Sequence, residues 1–324
     1  MPPDNPTQPN DIITFGDMCV DLIVSGGDVV PRFGQVEQLV GDYTLEMGGS
    51  TCIFACQAAR LGMRTGLLGK VGPDGFGRLI CQRLQDCGVD TQLISVDPGL
   101  KTGLGIALVK RNDRAILTYL GSLNALTAQD VQESFLASAR HLHHGSYFLL
   151  DKLKPEIPHI LQRAKQMGLT TSLDTNWDPQ ESWNGSLRQA LAYTDIFLPN
   201  LQELLYITKA SQMEAGILAV HALGVRLVAV KMGETVACVS DGEQIYTCRV
   251  TPVSGGDSVG AGDSFDAGFL AGWLKGASLA DCLRLACGCG RSVAGAVGGL
   301  AGQPGWDELQ EKIGDLNVTQ RPIP

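Results

Sequence analysis

The chain has 324 residues, 44% of them hydrophobic, and a formal net charge of −9. That length suits one large α/β core with a small appendage as well as it suits two domains. The negative balance argues against nucleic acid or an anionic membrane as a main partner, because either favours a basic face.

Taken in chain order, the apolar run at 12–16 reads as a first buried strand, with Asp17 and Asp21 just beyond it. Residues 1–10 are polar and proline-rich, unlike a signal peptide, and no apolar run approaches a membrane span. A cytoplasmic protein with a disordered N-terminal tail is therefore expected. Residues 20–45 lack helical period. Gly48 and Gly49 then precede helical spacing at 53–61, a strand at 65–69 and a second helix at 76–87. Residues 102–119 alternate through Leu104, Ile106 and Leu108 around a turn candidate at Asn112 and Asp113. Together with 20–45 they predict a small β-layer apart from the main sheet. Residues 142–150 read as a strand beginning among His141, His143 and His144, which lack metal-ligand spacing and are expected to pack.

Further on, helical spacing at 155–167, 187–193 and 213–223 alternates with apolar strands at 170–174, 196–198 and 227–230. Helices at 265–274 and 279–297 close the pattern. This is the rhythm of βαβ units and a mostly parallel sheet. In such sheets ligands collect beyond the carboxyl ends of the strands. That rule gathers Asp17, Asp21, Gly48, Gly49, Asp174, Asn176, Asn200 and Glu203. The ten cysteines are scattered through apolar segments without a four-ligand zinc pattern and read as reduced core residues.

Residues 255–266 carry the most chemistry. Gly260, Ala261 and Gly262 have almost no side chain and stand directly before the helical spacing of Phe265, Phe269 and Leu270. Their amides and the helix N-terminus can cradle an anion. Asp263, in the first turn, can take a proton from a hydroxyl beside a phosphoryl group, or it can simply cap the helix. Residues 256–260 (GDSVG) fit a nucleophile elbow, but no histidine follows His221 to complete a triad. The spacing from Gly255 to Gly260 fits a P-loop, except that Ala261 stands where its lysine is required. The cluster Gly72, Gly75 and Gly77 lacks dinucleotide-binding spacing. Asn200 and Glu203, three apart at a helix start, can hold hydrated magnesium or form a capping box.

Residues 257–263 (DSVGAGD) resemble the D-T-x-G-A-G-D signature of the PfkB-type, ribokinase-like carbohydrate kinases, with Ser258 in place of Thr. Residues 48–50 (GGS), 55–62 (ACQAARLG) and 69–77 (GKVGPDGFG) resemble the family's N-terminal signature, and 200–203 (NLQE) is similar to its N-x-x-E motif. The pieces follow the family order from about residue 12 to about residue 309. The resemblance implies a ribokinase-like three-layer α/β/α fold, a mostly parallel central sheet and a small β lid. The kinase domain would span 11–315, with lid segments at 20–45 and 102–119 and a C-terminal tail at 316–324.

It further implies ATP- and magnesium-dependent phosphorylation of a primary hydroxyl of a small sugar, sugar acid or polyol. Asp263 would be the base and the amides of Gly260, Ala261 and Gly262 the anion hole. Asp17, Asp21, Gly48 and Gly49 would hold the acceptor, and Glu203 with Asn200 the magnesium, through water. Lys231 and Gly233 (in KMGE) would lie over the nucleotide, although Val236 replaces the usual second glycine. The helix at 286–299 is rich in glycine and alanine and would approach the adenine. Asp257, with carbonyls near Val259, Ala294, Val297 and Gly299, is the candidate site for a monovalent cation such as K+. The lid is a candidate homodimer surface. The family usually has an asparagine shortly after the paired glycines, where this chain reads STCIF at 50–54. Ile53 cannot make that hydrogen bond, which leaves the acceptor open. The alternatives are a nucleoside kinase of the same family and a catalytically inactive sugar-binding sensor. Retention of Asp263, the cradle and Glu203 together argues against the sensor.

Overall fold

The computed structural model describes residues 10–111, 113–183, 185–253, 256 and 258–323. Residues 1–9 of the tail expected at 1–10, Asn112 of the turn candidate and Asp257 of the cation candidate lie outside the described residues, while Asn10 of that expected tail is the first residue of a strand.

Seven parallel strands form the centre of a large sheet. In chain order the first strands are β1 (Asn10–Phe15), β2 (Cys19–Ser25), β3 (Asp42–Gly48), β4 (Thr65–Val71), β5 (Asp90–Val96), β6 (Gly103–Lys110) and β7 (Asp113–Tyr119). They are followed by β8 (Ala139–His144), β9 (Thr170–Leu173), β10 (Ile196–Phe197), β11 (Leu227–Lys231), β12 (Val236–Ser240), β13 (Gln244–Arg249) and β14 (Val318–Pro322). The large sheet runs β14-β13-β12-β11-β10-β9-β8-β1-β4-β5. From β11 to β5 every pairing is parallel, whereas β12, β13 and β14 add an antiparallel edge.

The helices are α1 (Ser50–Arg60), α2 (Gly75–Asp86), α3 (Glu133–Leu136), α4 (Ile157–Gln166), α5 (Leu187–Leu191), α6 (Leu201–Thr208), α7 (Met213–His221), α8 (Ala261–Leu274), α9 (Leu279–Ala294) and α10 (Trp306–Lys312). They cover both faces of the sheet, so β1 is buried along its whole length and its Ile12 and Ile13 point to opposite, equally buried faces. One core holds Ile13, Phe15 and Leu142 against Ile160, Leu161 and Ile217 of α4 and α7. The other holds Ile12, Ala229 and Val239 against Phe269 and Leu270 of α8 and Leu283 of α9. Burying a side chain such as Phe269 contributes roughly 2 kcal/mol. Glycines bring α8 and α9 close: a Cβ at Gly268 would stand 2.8 Å from the Leu285 carbonyl oxygen. No helix among the described residues is long and apolar enough to cross a membrane.

Two segments differ from the sequence expectation. Residues 316–324 were expected as a tail, yet β14 lies there and completes the antiparallel edge by pairing with β13. The strand expected at 142–150 ends at His144, because Ser146 adopts a left-handed φ of 57° before a short 3-10 turn at Tyr147–Leu149. The three histidines pack, as expected. His141 bonds to Thr170 and Ser172, His143 to Ser172 and His144 to the Phe15 carbonyl. Burial holds His141 neutral, its pKa lowered to about 3.

The predicted small β-layer is present as a separate sheet in the order β3-β2-β6-β7. Its register aligns Glu46, Asp21, Gly105 and Thr118 in one row and Leu45, Leu22, Ile106 and Leu117 in the next. Successive side chains on a strand point to opposite faces. Asp21, Gly105 and Thr118 of the first row line the cleft, and the apolar row faces away.

Candidate active site

A cleft of about 1040 Å³ opens between this small sheet and the carboxyl ends of the parallel strands. Strand ends and helix starts supply its polar lining: Asp17 after β1, Asp174 after β9, Asn200 after β10, Lys231 at the end of β11, and the first turn of α8.

Gly260 is the N-cap of α8, with φ 73°, and no side chain caps that helix end. A left-handed turn of this kind favours glycine. The fit is also steric, since a Cβ there would stand 2.8 Å from Gly299 Cα and 2.9 Å from Ile53 Cγ2. Among the described residues no side chain meets the amides of the first turn of α8, although the Ala261 amide makes a long 3.4 Å contact to the Ser258 carbonyl, so this helix end is open to an anion from the cleft. Asp263 is the third residue of the helix rather than its cap, which removes the capping explanation for it. Burial, and then the charge of Asp174, push its carboxyl up to about 7, against the pull of Lys231 and a hydrogen bond with Ser50. Such a group exchanges protons near neutrality.

Beneath the cradle, Lys231 Nζ donates to Asp174 Oδ2 at 2.8 Å and to both Asp266 oxygens at 3.1 and 3.2 Å. Its ammonium is therefore turned inward to these carboxylates. It still lies under the amides, 3.7 Å from where a Cβ on Gly262 would be. Burial opposes charge on Asp174, but Lys231 holds its pKa below the usual carboxylate range. Burial pushes the Asp266 carboxyl well above that range, against the pull of Lys231. Gly233, at φ 76°, makes the turn between β11 and β12 and lines the same end of the cleft.

Asn200 and Glu203 form the full capping box of α6. Glu203 Oε2 accepts from the Asn200 amide at 2.9 Å, Oε1 accepts from Asn200 Nδ2 at 2.7 Å, and Asn200 Oδ1 accepts from the Glu203 amide at 2.9 Å. Burial, and then Asp174, raise Glu203 to about 7. Each carboxylate oxygen retains a second lone pair, so the group fits a water-mediated contact to a divalent cation as well as a cap.

At the other end of the cleft, Asp21 stands on β2 between two glycines. A Cβ on Gly48 of β3 or on Gly105 of β6 would fall on its carboxylate. Burial, and then Asp17, raise Asp21 to about 6. Asp17 lines the cleft beside it and also holds the backbone of α1. Its oxygens accept from the amides of Ser50 and Thr51 at 2.9 and 3.1 Å and from the Thr51 hydroxyl at 2.7 Å, which fixes the start of α1. Gly49, at φ 88°, is the N-cap of that helix. Asn176 donates to the Ser50 and Ser146 hydroxyls at 2.7 and 2.9 Å, so Ser50 links the loop after β9 to Asp263.

Sequence reading did not single out Ser50, Gly105, Arg114 or Asp266. Asp266 carried a visible signal, being one helical turn beyond Asp263 on the same face. Arg114, Ile116 and Thr118 alternate along β7 into the cleft, and Arg114 draws the Asp21 pKa downward. Val250, Val253, Gly290 and Ala294 give the end near α9 apolar walls.

The chain is 27% identical over 327 residues to the 2-dehydro-3-deoxygluconokinase of Bacillus subtilis (strain 168), covering 97% of each protein. It is 31% identical to an uncharacterized sugar kinase of Archaeoglobus fulgidus, covering 70% of this chain and 90% of that one. Among solved structures, a putative ribokinase II from E. coli in complex with ATP and Mg2+ superposes with a TM-score of 0.83 at 27% identity, covering 94% of this chain and 99% of that one. Residues 9–305 match the description "pfkB family carbohydrate kinase", and the chain belongs to that family of sugar kinases.

Proposed function

We propose that this carbohydrate kinase transfers the terminal phosphoryl group of ATP to a primary hydroxyl of a small sugar acid, sugar or polyol, with Asp263 as the base. The acceptor hydroxyl gives its proton to Asp263, its oxygen bonds to the terminal phosphorus, the bond from that phosphorus to the bridging oxygen breaks, and ADP leaves. The observation that carries this reading is Asp263 itself, poised near 7 in the first turn of a helix whose amides face the cleft uncapped. Those amides, at Gly260, Ala261 and Gly262, stabilise charge on the phosphoryl oxygens, and Lys231 supports them from below. Glu203 and Asn200 would hold magnesium through water, where the ion would offset phosphate charge. Asp21 orients the acceptor, and the small sheet excludes water that would otherwise compete for the phosphoryl group.

Arg114 favours a sugar acid over a neutral sugar. It is a cation lining the acceptor end beside Asp21, and a carboxylate is the group that a guanidinium holds best. ADP release measured against a panel of sugar acids, neutral sugars and nucleosides tests the reading. Sugar acids should be the best acceptors, and Arg114→Gln should raise KM for them alone. Turnover with nucleosides only would replace this reading with a nucleoside kinase.

The apolar outer row of the small sheet supports a homodimer. Leu117 and Tyr43 are 59% and 68% exposed there, and a second copy would cover them.

A further inference from the structure

A second cavity, of about 260 Å³, lies behind the active-site helix α1 and is lined by Glu46, Arg60, Arg83, Asp86, Cys87, Leu300 and Ala301. Helical periodicity explains its chemistry. Arg60 comes four residues after Cys56 on α1, and Arg83 four before Cys87 at the end of α2, so each helix presents a thiol and a guanidinium on one face. Cys87 packs against the buried cluster that holds Cys56, which makes the two thiols neighbours. Cys56 is fully buried, whereas Cys87 is partly exposed and opens into the cavity.

The charges around Cys87 can be weighed. The neighbouring Cys56 thiol lowers the Cys87 pKa, burial opposes this, and Arg60 adds to the lowering. Asp86 pulls the other way, as does the negative end of α2, which Cys87 terminates. Arg83 pairs with Glu46 at 3.9 Å, and Arg60, whose Nη1 also donates to the Gln303 carbonyl at 3.0 Å, is the cation that draws the Cys87 pKa down. Cys81, on the same helix and also partly exposed, has its thiol pushed up by burial and lacks an arginine partner. A thiolate next to arginine at an open cavity is the setting in which cysteines react selectively.

We propose that Cys87 is a thiol-exchange site for acidic low-molecular-weight disulfides, with Cys56 as its resolving thiol. Cys87 as thiolate attacks one sulfur of the small disulfide, whose S–S bond breaks and whose other half leaves as a thiolate that takes up a proton. Cys56 then loses its proton, attacks Cys87 Sγ in the mixed disulfide, and expels the second half as a thiol. Two protein thiols are oxidised and one small disulfide is reduced to two thiols. Arg60 and Arg83 at the cavity attract the carboxylates of the small molecule.

The test treats the reduced, full-length protein with oxidised glutathione and maps the cysteines by mass spectrometry. A Cys56–Cys87 cross-link, reversed by dithiothreitol, is expected. Cys56→Ser should stop at a glutathione adduct on Cys87, and Cys87→Ser should leave Cys56 unmodified. A reading free of variants is native-state alkylation by iodoacetamide at pH 7, in which Cys87 should react at least about tenfold faster than Cys81. The proposal is overturned if the first adduct forms elsewhere, for example on Cys248 or Cys287, or if Cys87 and Cys81 alkylate at similar rates.

Discussion

Replacing Asp263 by Asn separates its catalytic role from its cost to the fold. Loss of the base should lower kcat by roughly 10²–10⁴-fold while ATP binding is retained. The same change should stabilise the protein at alkaline pH. Raising the carboxyl from 3.8 to about 7 disfavours its charged form by about 4 kcal/mol at about 1.4 kcal/mol per pH unit. Exposure to the cleft and sharing with Asp174 reduce that to about 2 kcal/mol. The sign follows from the two states. Below pH 3.8 the group is protonated whether the chain is folded or not, and between 3.8 and about 7 the unfolded chain releases the proton that the folded chain keeps. Stability is therefore lost as pH rises through that window, and an asparagine does not lose it. Thermal unfolding should show Asp263→Asn matching the parent near pH 4 and exceeding it by about 3 °C at pH 8. In the parent protein, kcat/KM should rise about tenfold between pH 6 and pH 8 as Asp263 ionises. Near-parental turnover in a folded Asp263→Asn protein would refute the base assignment.

Three other outcomes follow from the same geometry. Glu203→Gln should raise the magnesium concentration needed for half-maximal activity and lower stability by about 1 kcal/mol through the weakened capping box; an unchanged metal titration alongside a lower Tm would leave Glu203 as a cap alone. Asp21→Ala should raise the acceptor KM by the equivalent of about 2–3 kcal/mol with little change for ATP, and equal effects on both substrates would remove Asp21 from the acceptor site. Leu117→Glu, on the outer row of the small sheet, should shift the protein from dimer to monomer in analytical ultracentrifugation, and a parent that is already monomeric would refute the dimer surface.

Much of this arrangement was legible in the residues because local rules and the tertiary fold agree there. The alternation of apolar runs with helical spacing specified the parallel sheet, and the lack of period at 20–45 and 102–119 marked the separate small sheet. The small residues at 260–262 foretold the uncapped start of α8. The antiparallel edge was less legible. β12, β13 and β14 are short, and β14 is mostly exposed, so its pairing with β13 rather than its own apolar pattern defines it. Side-chain roles were harder still. Asp17 and Lys231 were placed correctly at the cleft, but their partners, the amides of Ser50 and Thr51 and the carboxylates of Asp174 and Asp266, come from distant segments that no spacing connects. Gly105 matters only because β6 happens to pair beside Asp21. Arg114 became visible only once β7 folded over the cleft.

The central claim, phosphoryl transfer to a sugar-type hydroxyl by Asp263, is tested most directly by ³¹P NMR of the protein with ATP, magnesium and sugar-acid acceptors. The account predicts one new phosphomonoester signal, coupled to the protons of a primary carbon, growing in step with ADP and absent with Asp263→Asn. ADP accompanied by inorganic phosphate alone, or an equal phosphomonoester signal from Asp263→Asn, would contradict it.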